Sequence, residues 1–246
     1  MVSQTGRCLS FAFLFLFPAC VVTAESGDSI PQTNLNSAQI VDQMQRHNQA
    51  RAEELKQYQS IRRYKVEYKG FSATLGAELV VEVNFDAASG KNFKVLSQSG
   101  SKFLCDKVLK RAVESEKEAA KDKGSTALSP ANYRFELVGT ESLAGRPAYV
   151  MKVEPLAPSK FLYRGKIWVD AAEFALAKMD GEPAKSPSFW ISRTLLEFTN
   201  AKTGDFWFPR QTRSETKVRI GGTAVLTIDY GSYQVAPQQS GQTAGL

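Results

Sequence analysis

Tyr64-Lys-Val-Glu-Tyr-Lys69 and Glu78-Leu-Val-Val-Glu-Val-Asn-Phe85 are the stretches whose reading decides the fold. In the first, Tyr64, Val66 and Tyr68 alternate with Lys65, Glu67 and Lys69. In the second, Leu79, Val81, Val83 and Phe85 alternate with Glu78, Val80, Glu82 and Asn84. A period of two sends successive side chains to opposite faces, so each stretch is a strand with one apolar face and one wet face. The rhythm returns downstream. Tyr133, Phe135 and Leu137 alternate with Arg134, Glu136 and Val138; past a turn at Ala144-Gly145, Tyr149, Met151 and Val153 alternate with Val150, Lys152 and Glu154. Further strands are expected over 161–170, 174–180, 188–199, 206–220 and 224–233, joined at Ala171-Ala172, Thr203-Gly204-Asp205 and Gly221-Gly222.

Two stretches break this rhythm with a helical period. Asn36 stands three residues before Gln39, a capping-box spacing, and Ile40, Met44, Leu55 and Tyr58 form an intermittent apolar stripe with His47 exposed beside it. A second helix is expected from Phe103 to Lys121, with Leu104, Val108 and Ala112 on its apolar side. No large apolar residue follows Val113 until Leu128, so its far half should be solvated. Roughly ten strands joined by short turns cannot be parallel, because parallel pairing needs long crossovers. The expectation is a mainly β, α+β chain: one curved antiparallel sheet or half-open barrel of roughly ten strands, its concave face covered by the helices. A two-sheet sandwich with the helices at its edges is the alternative.

Of the 246 residues, 43% are hydrophobic and 11% aromatic, which excludes a disordered or disulfide-dense chain. The first 24 residues read as a signal peptide: Arg7 is the basic region, Leu9 to Ala19 the short apolar region, and Val22-Thr23-Ala24 the cleavage pattern. Residues 25–36 read as a flexible linker, 37–235 as a single domain and 236–246 as a disordered tail. Losing Arg7 from 31 basic residues leaves 30 against 25 acidic, a net charge of +5, with Cys105 the one remaining cysteine of three. A competing cleavage before Cys20 would make that cysteine a lipidated membrane anchor, although Pro18 fits such a motif poorly. The basic residues alternate with acidic ones along the strands, which argues against nucleic acid as partner and leaves room for peripheral contact with anionic lipid.

Phe161-Leu-Tyr-Arg-Gly-Lys-Ile-Trp-Val-Asp170, followed by Phe174-Ala-Leu-Ala-Lys-Met-Asp-Gly-Glu-Pro-Ala-Lys-Ser-Pro-Ser-Phe-Trp-Ile191, resembles an outer-membrane lipoprotein-sorting branch of the LolA/LolB-like superfamily, which also includes MucB/RseB-like sensors. The resemblance spans about Tyr64 to Tyr233. It implies a half-barrel whose concave face holds acyl chains. No segment matches, residue by residue, the carrier's lid contacts or the receptor's membrane-inserting loop, so the fold transfers more safely than the role.

Motifs for chemistry are missing. There is no C-x-x-C, H-E-x-x-H or G-x-S-x-G, and a single histidine cannot build a multi-histidine metal site. Asp170, Asp180 and Glu182 cluster in sequence next to turn residues; they read as turn caps rather than a catalytic pair, and Asp180-Gly-Glu-Pro183 as a structural corner. No cofactor, no metal and no enzymatic activity is expected. The expected ligand surface is the inward set Val66, Tyr68, Leu79, Val81, Val83, Phe85, Phe135, Leu137, Tyr149, Met151 and Val153, joined by the aromatics Tyr163, Trp168 and Trp190. The reading is a monomeric, exported envelope protein, periplasmic or secreted, that takes a lipid, an acyl chain or a lipoprotein in an apolar concavity for sorting or delivery. The alternative is a non-enzymatic interaction or sensor module that meets an envelope protein and fills the concavity with its own side chains.

Overall fold

In a computed structural model, residues 35–121, 123–159, 161–186, 191–219 and 221–236 are described. The expected signal peptide with Cys20, most of the linker, the tail from 237 and Trp190 lie outside them. Contacts divide the chain into units 1–33 and 34–246, and every described residue belongs to the second.

The first helix, α1 (Ser37–Glu54), opens with the full capping box: Gln39 N donates to Asn36 Oδ1 at 3.0 Å and Asn36 N to Gln39 Oε1 at 2.9 Å. It stops earlier than the sequence pattern suggests. Leu55 is already extended, and Tyr58 belongs to the strand β1 (Gln57–Lys69). Along β1, Tyr58, Ser60, Arg62, Tyr64 and Val66 are buried in alternation, so Ser60 and Arg62 face inward while Ile61 is exposed. That inversion of polarity hides the strand's first half from a hydrophobic pattern.

The sheet continues as β2 (Thr74–Asp86), β3 (Gly90–Gly100), β4 (Tyr133–Leu143), β5 (Arg146–Pro155), β6 (Tyr163–Asp170), β7 (Leu176–Pro183), β8 (Ile191–Thr203), β9 (Phe206–Val218) and β10 (Thr223–Val235). β3 has no counterpart among the expected strands; it is exposed along most of its length, with Phe93 half-buried on the inner apolar cluster. Nor is Gly181 at a corner, because β7 runs through it to Pro183. All pairings are antiparallel, in the order β3-β2-β1-β10-β9-β8-β7-β6-β5-β4. β3 and β4 are therefore opposite edges, and the sheet is a curved, unclosed half-barrel.

The second helical region is broken into α2 (Lys102–Leu104), a π-turn (Cys105–Leu109), α3 (Lys110–Lys121) and α4 (Lys123–Thr126). Leu104, Cys105, Leu109 and Val113 pack on Val66, Leu79, Val81 and Val83, covering one half of the inner face. The other half is covered by α1, through Ile40, Val41 and Met44 on Tyr149, Met151, Val153, Ile167 and Val169. Each such apolar side chain contributes roughly 1.5–3 kcal/mol by leaving water.

What curves the sheet is a line of bulges. Gly139, Val150, Trp168, Lys178, Thr199, Gln211, Asp229, Arg63, Val80 and Ser97 stand side by side across the ten strands. Next to that row, five of the nine pairings lose register: Val138, Ala177, Arg210 and Leu96 are each an extra residue, and Gly231-Ser232 face the single residue Ile61. A bulge bends its strand and raises the twist, and a row of them makes a crease.

Candidate functional site on the concave face

Register places two rows of side chains side by side on the inner face. One is large: Leu137, Met151, Ile167, Met179, Phe198, Thr212, Ile228, Tyr64 and Leu79 are successive cross-strand neighbours. The next row, two residues along each strand, is small at its centre: Val153, Gly165, Gly181, Leu196, Ser214, Leu226, Val66 and Ala77. Gly165 and Gly181 are direct partners, and neither position tolerates a side chain. A Cβ on Gly165 would stand 2.1 Å from the Asp180 carbonyl oxygen, and one on Gly181 would stand 2.4 Å from that of Arg164. In register the row is thus a trough, bare of side chains on β6 and β7, with Phe198 and Met179 in the row on one side and Thr194 and Thr216 on the other; on the opposite, outer face a cavity of about 770 Å³ reaches the same Gly165, Gly181 and Leu196 between Lys152, Lys166, Trp168 and Arg193. The two threonine hydroxyls satisfy each other at 3.1 Å.

The trough falls between the two covered halves. Leu196 and Phe198 are half-buried and belong to neither apolar cluster. Beyond the C-terminal end of α1, a cleft of about 1200 Å³ opens between Glu53, Lys56, Thr203, Phe206, Tyr233 and Val235. Its aromatic floor is continuous with a stack inside the sheet, Phe208 on Tyr233 at 4.1 Å and Tyr58 on Phe85 at 5.1 Å.

The expected site residues divide accordingly. Val66, Leu79, Val81 and Val83 lie under the region 102–121, and Tyr149, Met151 and Val153 under α1; all are essentially inaccessible. Phe135 and Leu137, on the edge strand β4, are half-buried against the α1 cluster. Tyr68 closes the β9–β10 turn, its hydroxyl accepting from Gly222 N at 3.3 Å, and Phe85 stacks on Tyr58. Tyr163 is on the inner face, where its backbone N donates to Tyr133 Oη at 3.1 Å. Trp168 is a correction: it points outward, because Ile167 and Val169 take the inner positions. It packs on Ala148 and Val150, donates from Nε1 to Glu141 at 2.8 Å and carries the Lys178 ammonium 4.7 Å above its ring. Gly165, Gly181, Leu196 and Phe198 are the residues the sequence reading missed. A glycine inside a period-two strand was the available signal.

The carboxylates do not converge. Asp170 caps the β6–β7 turn, accepting from Ala172 N and Glu173 N, and receives Arg146 Nε at 2.6 Å. Asp180 pairs with Lys178 at 2.6 Å and Glu182 stands 3.9 Å from Arg193. Among the described residues no cluster of metal-ligating side chains occurs. A groove of about 700 Å³ follows the crease on the outer face, lined by Arg146, Asp170, Lys178, Thr199, Trp207 and Gln211. Beside it, Glu173 receives Lys202 at 2.8 Å, Trp207 Nε1 at 2.9 Å and Arg146 at 3.1 Å.

Similar structures include a DUF1329 family protein from Desulfovibrio piger, at 13% identity and a TM-score of 0.44 over 83% of this chain and 95% of that one. A domain from Vibrio parahaemolyticus named for outer membrane lipoprotein sorting aligns at 14% identity and a TM-score of 0.42, over 82% of this chain and 92% of that one. A LolA superfamily protein from Nitrosomonas europaea aligns at 10% identity and a TM-score of 0.36, over 82% and 94%. No family model matches the chain, and no curated relative matches it.

One inward position is charged. Arg62, 1% exposed, pairs with Glu116 of α3; Tyr64 Oη donates to the same carboxylate at 3.1 Å and Lys91 lies 3.6 Å away. Burial works to raise the Glu116 carboxyl, yet Arg62, Lys91 and the Tyr64 hydroxyl together hold it below the usual carboxylate range. Burial, then the Glu116 charge, push the Tyr64 phenol well above its ordinary value. The Arg62 guanidinium also lies over the Tyr230 ring, 4.9 Å from its centre.

Proposed function

We propose that this is an exported envelope protein that binds an acyl chain, carried by a lipid or a lipoprotein, in the trough of its concave face. The observation that carries the reading is the registered row Gly165–Gly181–Leu196–Ser214, bare of side chains at two adjacent positions and left between two helix-covered halves. An unbranched chain needs a groove without protruding side chains and with apolar walls, here Met179, Phe198 and Leu196. Each methylene buried gains about 0.8 kcal/mol, so eight gain roughly 6 kcal/mol before the costs of association. No helix among the described residues is long and apolar enough to cross a membrane. Sorting or delivery of lipoproteins in the periplasm is the role this reading favours, with no enzymatic step.

Native mass spectrometry after mild purification, paired with displacement of a fluorescent fatty acid, tests the reading. Co-purified lipid or saturable uptake is expected; an empty protein that takes up nothing would overturn it. A second reading, a non-enzymatic interaction or sensor module, draws on one observation: Val66, Leu79, Val81, Val83, Tyr149, Met151 and Val153 are already covered by the protein's own helices. Crosslinking that recovers one specific envelope protein, with no lipid, would favour it.

A further inference from the structure

The inner face carries a polar cluster that packing does not explain. Besides Asp170 at its turn, Ser60 and Arg62 are the buried polar residues among those described, 2% and 1% exposed, and both lie on β1. Ser60 is the direct cross-strand partner of Tyr233 and Arg62 of Tyr230. Ser60 Oγ, Arg62 Nε and Tyr233 Oη are all buried without a hydrogen-bond partner. Three donors left idle within two rungs of one ladder are costly, and such groups normally find partners.

Glu116 supplies the acceptor now present, and it is limited by its tether. One oxygen meets Arg62 Nη1 and the other the Tyr64 hydroxyl, which leaves the three idle donors unreached. A carboxylate or phosphate offers four or more acceptor sites and, free of a backbone, can turn to several donors at once. The helix holding Glu116 is lightly attached. Val113 is the buried residue of α3, and α3 follows a π-turn, a feature frequent at functional sites. Tyr233 borders both this cluster and the 1200 Å³ cleft, so the idle donors lie behind an opening. From Arg62 to Val66, the covered β1 member of the trough's row, is roughly 13 Å along the strand, and from there Leu196 is three strands across, roughly a further 14 Å.

We propose that Arg62, with Ser60 and Tyr233, binds the anionic head of the ligand, a carboxylate or phosphate ester on an acyl chain, and that Glu116 occupies this position when no ligand is bound. The inference rests on the acyl-binding reading and adds the class of ligand. Binding exchanges one carboxylate for another oxyanion and leaves the Arg62 charge compensated throughout, which a neutral head could not do.

The test is calorimetric titration of the full mature chain with dodecanoate, dodecyl phosphate and dodecan-1-ol. The two anions are expected to bind at least tenfold more tightly than the alcohol, and their order identifies the preferred head. Glu116→Gln, which removes the competing charge, is expected to tighten both anions at least threefold and leave the alcohol unchanged. Tyr233→Phe and Ser60→Ala are each expected to weaken the anions about threefold without affecting the alcohol. The double variant Arg62→Met/Glu116→Met replaces the ion pair by apolar groups of similar length, a change proteins commonly tolerate, and is expected to bind all three ligands alike. Preference for anions that survives in the double variant, or Glu116→Gln that tightens anions no more than alcohol, would overturn the head-group site while leaving the trough standing. If none of the three binds to any variant, the acyl-binding reading itself falls.

Discussion

Leu196 and Trp168 stand on opposite faces of the sheet and give opposite expectations. Leu196 is half-exposed in the trough, so Leu196→Asn removes apolar surface from the ligand and little from the core. Acyl affinity is expected to fall by roughly 1.5 kcal/mol, about tenfold, with the melting temperature nearly unchanged. Trp168 packs outside on Ala148 and Val150. Trp168→Ala is expected to cost about 3 kcal/mol of stability in denaturant titration and to leave acyl affinity intact. A loss of affinity there would place the ligand on the outer face. Trp168 was legible as buried and aromatic but not as outward-facing, because its neighbours Ile167 and Val169 are equally apolar and the alternation that assigns a face disappears. Gly165 and Gly181 were visible in the sequence as strand glycines. Their pairing was not, since it depends on how β6 and β7 align.

Both covering elements are held to the sheet unevenly along their length, and this can be measured element by element. For α1 the capping box closes the N-terminus, and Asn36→Ala is expected to cost about 1 kcal/mol, seen as faster amide exchange in the first turns of α1 while the region 102–121 is unaffected. For α3 the tether is the Arg62–Glu116 pair, faced also by Tyr64 on β1, Lys91 on β3 and Tyr230 on β10. Because the folded Glu116 carboxyl lies below its ordinary value, its contribution is complete above the ordinary range and is lost as pH falls through the depressed value. Exchange protection of α3, corrected for intrinsic rates, is expected to hold from pH 7 down to the ordinary carboxylate range and to fall as pH drops below it. Protection that does not fall in acid before the rest of the sheet loses its own would show that Glu116 does not hold the helix. α1 was legible from its cap and apolar spacing, and the second helical region from apolar spacing alone. The early end of α1 was not, because β1 begins with Ser60 and Arg62 turned inward, and a hydrophobic pattern reads such positions as surface.

At the scale of the molecule, curvature decides what the inner face can hold. Period-two alternation was enough to read a single antiparallel sheet with helices on its concave side. β3 escaped because Gly90–Gly100 packs little besides a half-buried Phe93 on the sheet's inner face, leaving no alternation to detect. The crease escaped for a different reason: a bulge is a property of two strands together, so Val138, Ala177, Arg210 and Leu96 look like ordinary strand residues in the chain. The same crease that closes the inner face around its trough opens a groove on the outer face, and the protein therefore offers two concave surfaces of different character. Photo-crosslinking with a fatty acid carrying a diazirine near its methyl end, followed by peptide mapping, distinguishes them most directly. Labels, resolved to single residues, are expected at Met179, Leu196 and Phe198. Labels on Trp168, Lys178 or Trp207, or labelling no greater than with a water-soluble diazirine, would contradict an acyl chain lying in the trough.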